Sequence, residues 1–91
     1  MKLFTSLVLL LGLSNVVMAD EYTHQLGNSG YAIRFARIEH ADRESPKEYR
    51  QAVKLQRKAQ NLFAQQKMTE AMEISKKAEV LAWDAYHKSY N

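Results

Sequence analysis

The stretch Ser45–Gln66, SPKEYRQAVKLQRKAQNLFAQQ, followed by Lys67–Lys88, KMTEAMEISKKAEVLAWDAYHK, decides the fold. Ser45 can cap a helix, Pro46 suits its first turn, and Glu48 stands three residues after the cap. Together they form a capping box with proline at its favoured position. The helix then runs to about Gln66. At 100° per residue, Ala52, Leu55, Ala59, Leu62 and Phe63 share one arc. Lys47, Arg50, Lys54, Arg57 and Lys58 share the opposite arc, and Glu48 is the only acid in the segment.

The apolar phase restarts at Ala71, so a break falls within Gln65–Met68, although no Gly or Pro marks it. Thr69 is the expected cap of the next helix, about 69–88. Glu70 and Glu73 sit in its first turn and His87 and Lys88 in its last, where the helix dipole favours them. Glu73 with Lys77, and Asp84 with Lys88, have the spacing and order of i, i+4 ion pairs. Ile74, Ala78, Leu81 and Ala85 form the main apolar stripe, widened by Ala71 and Ala82. Two helices joined by so short a turn lie antiparallel, and their alanines permit close approach.

Upstream, Tyr31, Phe35 and Ile38 recur at i, i+4 and i+7, which predicts a short helix over about 31–42. The expected fold is all-α: an antiparallel hairpin (about 46–66 and 69–88) preceded by this short helix. Asp20–Gly30 is polar and contains Gly27, Asn28, Ser29 and Gly30, which predicts a flexible arm ending in a turn.

Residues 1–19 have the three parts of a secretory signal: Lys2, the apolar run Leu3–Leu13, and Val17-Met18-Ala19 before the expected cut. The run is shorter than the ~20 residues of a spanning helix. No cysteine stands near the cut, so lipid attachment there is excluded and the expected location is periplasmic or secreted. Without those residues 72 remain, one domain at most. A domain this small buries little core. The whole chain carries 13 basic and 10 acidic residues. Leaving out Lys2 makes that 12 against 10, too mild a balance to indicate nucleic acid.

The segment from Ala59 through Lys67-Met68-Thr69-Glu70-Ala71 to Ala78 resembles one tetratricopeptide-type hairpin, with alanines 12 and then 7 apart. It lacks a closing proline near Trp83 and occurs once. Across Ala32–Ala85 the chain is similar to an uncharacterised family of small exported bacterial helical-hairpin proteins, catalogued as a domain of unknown function. The resemblance implies an envelope helical hairpin and no known activity.

Chemistry-bearing motifs are sparse. His24, His40 and His87 lie far apart, and no HExxH, Cys/His cluster, phosphate loop or nucleophile elbow is present. A non-enzymatic protein without cofactor or metal is therefore expected. Two surfaces stand out. Met72, Val80 and Trp83 form a second apolar line, with Tyr86 and Tyr90 nearby. Aromatic groups of this kind anchor protein contacts, so the first expectation is a protein-interaction or structural module of the cell envelope, with a protein partner or self-association. The alternative is a module that binds an anionic envelope lipid or polymer through the stripe Lys47, Arg50, Lys54, Arg57 and Lys58.

Overall fold

A computed structural model describes the backbone of residues 2–90 and the side chains of residues 20–89. The expected signal peptide at residues 1–19 falls outside those described side chains. Four helices follow one another: α1 (Lys2–Ile38), α2 (Ala41–Glu44), α3 (Pro46–Ala64) and α4 (Met68–Tyr90). The chain is all-α, with α3 and α4 forming the hairpin. Among the described residues no helix is long and apolar enough to cross a membrane.

The core is a stack of layers with one residue from each long helix. Tyr22, Ala59 and Ala71 form the first, Ala32, Ala52 and Ala82 another, and Ala36 and Ala85 a third, which Ala41 of α2 completes. Positions rise together in α1 and α4 and fall in α3. So α1 runs parallel to α4, and α3 runs antiparallel to both. The buried positions of α4 (Ala71, Ser75, Ala78, Ala82 and Ala85) alternate four and three apart, the seam spacing of helices packed side by side. Their small size lets backbones approach closely. Ile74 and Leu81, expected at the centre of this stripe, are half-buried flanks instead.

Between the first two layers lies a polar one. The Ser29 hydroxyl has the Gln56 Oε1 and the Leu26 carbonyl within reach as acceptors. Ser75 Oγ lies 2.9 Å from Ser29 Oγ, and Gln56 Nε2 donates to the Leu26 carbonyl at 3.3 Å. Either serine hydroxyl can donate to the other. A buried polar group of this kind is tolerated because it is satisfied.

Residues 20–30 are helix and not a flexible arm. Tyr22 and Ser29 are both fully buried, and this tertiary contact outweighs the helix cost of two glycines. Neither glycine has a positive φ. A Cβ at Gly27 would meet nothing within 4 Å, whereas one at Gly30 would face Gln56 Nε2 at 3.6 Å. Gly27→Ala is therefore expected to stabilise the domain by about 0.5–1 kcal/mol. A thermal melt reads this as a raised midpoint. An unchanged midpoint would mean that this turn is not helical.

The short helix expected over 31–42 is likewise the end of a longer one. It stops at Ile38, and His40 takes a left-handed conformation (φ 66°) before α2 starts. Three capping expectations also change. Ser45 makes no side-chain cap on α3; its hydroxyl lies 3.1 Å from that of Ser89, which donates to the Ala85 carbonyl at 2.8 Å. Glu48 is drawn to α4, where Lys88 donates to it at 2.6 Å. Lys88 is thereby taken from its expected partner Asp84. Thr69 lies inside α4, which starts one residue earlier. Pro46 does occupy the first turn of α3.

The turn after α3 is closed by backbone bonds from Gln66 N–H to the Phe63 carbonyl and from Lys67 N–H to the Leu62 carbonyl, each 2.9 Å. With Gln66 left-handed (φ 62°) this is a Schellman closure. Glutamine here occupies the position that glycine usually takes.

Candidate anion-binding face

Packing of Ala52 and Ala59 against α1 and α4 fixes which side of α3 faces water. Lys47, Arg50, Lys54, Arg57 and Lys58 are all exposed on that side. They span eleven residue steps, roughly 16 Å of helix axis at 1.5 Å per residue. The Arg50 Nε donates to the Pro46 carbonyl at 3.2 Å, which leans its guanidinium along the helix. Among the described residues the one ion pair is Glu48–Lys88, and the Glu48 carboxylate also acts on Lys47 at longer range. The Lys88 hydrogen bond holds the Glu48 carboxyl below its usual range, and the same bond raises Lys88. The only acid of α3 is thus occupied by a cation of another helix.

A shallow hollow on this face is lined by Tyr49, Arg50, Val53, Lys54, Arg57 and Lys58 among others, all from α3. A depression made by one helix encloses nothing, so the face offers no desolvated pocket of the kind general acid–base chemistry needs. Among the described residues no three His, Asp or Glu side chains converge to hold a metal ion. His40 Nδ1 instead lies 3.0 Å from Arg43 Nη2, which donates to it.

The second surface expected from the sequence is not one site. Met72 is half-buried and packs into the layer of Tyr22, Ala59 and Ala71. Trp83 stands eleven residues further along α4, roughly 16 Å away. There it joins an aromatic seam with α1. Phe35 lies 5.6 Å from Trp83 and 5.0 Å from Tyr86, centroid to centroid, and Tyr31 lies 6.3 Å from Trp83. Edge-on and tilted rings at these separations are the favoured aromatic geometry. Trp83 and Tyr86 are accordingly half-buried, while Val80, Tyr31 and Ile38 stay 59 %, 55 % and 70 % exposed. Ile38 therefore takes no part in covering Trp83. The Tyr90 side chain falls outside the described residues.

Sequence reasoning missed Tyr22, Ser29, Gln56 and Ser75. The one available signal was the spacing Tyr22, Ser29, Ala36, a seven-residue repeat that continues through the supposed arm. No family model matches the chain, and neither a curated protein nor a solved structure matches it.

Proposed function

We propose that this is a non-enzymatic helical module, exported to the cell envelope, that engages an anionic partner through the outer face of α3. The observation that carries this is the exposed row Lys47, Arg50, Lys54, Arg57 and Lys58 on a packed helix, none of them in an ion pair among the described residues. Export is supported by the signal-like order of residues 1–19. The packed helix matters because its backbone needs no ordering on contact, unlike that of a loop.

Retention on an immobilised soluble polyanion, polyglutamate, tests the reading. Lys54→Gln/Arg57→Gln should weaken binding by about tenfold or more, from roughly 1 kcal/mol per surface cation. Lys76→Gln/Lys77→Gln removes the same charge from α4, where Glu73 and Glu79 stand nearby in sequence, and should change it little. Equal effects of the two pairs would reduce the stripe to ordinary net charge.

A second reading, a protein contact at the Trp83 seam, is favoured by the exposure of Val80 and Tyr31 beside it. It has less support because Phe35 already packs on both Trp83 and Tyr86.

A further inference from the structure

Resting on that reading, we infer that the α3 face takes an anionic phospholipid surface, against which the bundle lies flat with no side chain inserted. Three observations carry it. First, the face is built from one helix and carries only a shallow, open hollow. Cations in a row along one helix axis present their charges together to a plane.

Second, the face offers little to insert. Among the described residues the exposed large apolar residues are Tyr31, Ile38 and Val80, and none belongs to α3; Tyr49, Val53 and Leu55 in the hollow are half-buried. An interfacial helix ordinarily buries its apolar side in the acyl boundary. In α3 that side, centred on Ala52 and Ala59, is locked against α1 and α4. What remains is electrostatic attachment from the water side.

Third, the row combines two arginines with three lysines. Guanidinium groups bind phosphate in two-pronged fashion, while ammonium groups act as point charges. Glu48, the one acid of α3, is held by Lys88. Attachment of this kind is fully reversible by salt, because exposed charges are screened within ~10 Å at 0.1 M and ~3 Å at 1 M.

The experiment uses the protein recovered from the envelope of the producing cell, sedimented with vesicles. One set is phosphatidylcholine alone and the other equal parts phosphatidylcholine and phosphatidylglycerol. The expected result is binding to the anionic set only, released by high salt. Binding should fall about 25-fold in Lys54→Gln/Arg57→Gln, from about fivefold per cation near an anionic leaflet. Circular dichroism of the variant, expected unchanged, shows that the loss is not unfolding. Equal binding to both vesicle sets, or binding that survives in the variant, overturns the inference. Retention on polyglutamate without vesicle binding overturns the lipid assignment and leaves the anion-binding reading intact. Binding to neither overturns both.

Discussion

Tyr22→Ala is expected to cost about 3–5 kcal/mol, the range for emptying a large buried aromatic site, and so to leave little of the domain folded at room temperature. The Tyr22 ring stacks on Phe63 at 4.4 Å with 9° between the planes. It fills the layer that Ala59 and Ala71 are too small to fill alone. Tyr22→Phe should behave oppositely. The Tyr22 hydroxyl is buried with no hydrogen-bond partner, and removing an unsatisfied polar group relieves a penalty of about 1–3 kcal/mol. Thermal melts of the two variants check both halves. No change in Tyr22→Ala would place residues 20–30 outside the fold.

The same residue gives a pH signature. Burial pushes the Tyr22 phenol above its usual value, near 10 for free tyrosine. The unfolded chain therefore loses that proton first as pH rises. This contribution to stability is intact below pH ~10 and is lost as pH climbs through the raised folded value. Tyr22→Phe should remove that part of the alkaline sensitivity. An identical alkaline fall in both proteins would mean that the phenol titrates as if exposed.

Ala82→Leu is the second large effect. Ala82 meets Ala32 and Ala52 where all three long helices touch. Leucine there must push two helices away from α4 together, because neither neighbour has a side chain that can rotate aside. Overpacking of this kind costs about 1–3 kcal/mol, and each kcal/mol shifts the midpoint of a domain this size by about 4–8 °C. Val80→Leu, two residues away but exposed, should leave the midpoint where it was. Equal melting of both variants would mean that α1 does not pack on α4 as described.

The hairpin was legible because its signals are local. Pro46 sets the start of α3, the seven-residue spacing of Ala52 and Ala59 repeats, and Ala71, Ala78 and Ala85 continue that spacing in α4. All five alanines are fully buried. The basic stripe was legible for the same reason, since one helical period fixes which residues share a side. What the sequence concealed was non-local. Gly27 and Gly30 signal a break, and only the burial of Tyr22 and Ser29 against α3 and α4 outweighs them. Ser45 and Glu48 form a sound capping box in isolation. Ser89 and Lys88, forty or more residues on, draw them into other bonds. The turn at Gln66 was weakly marked because a left-handed residue there is not glycine. Met72 and Trp83 share no site because α1 meets them at different levels, Met72 in the layer of Tyr22 and Trp83 beside Phe35.

The central claim is that the outer face of α3, and not the Trp83 seam, is where this protein meets its partner. In-cell crosslinking from a photoreactive residue placed at position 54, and separately at position 83, tests it most directly. Mass spectrometry of the adducts should find phospholipid or another anionic envelope component joined at position 54. Position 83 should yield only links within the chain, to Tyr31 and Phe35 of α1. One dominant protein adduct at position 83, with nothing captured at position 54, would contradict the claim and move the working surface to the aromatic seam.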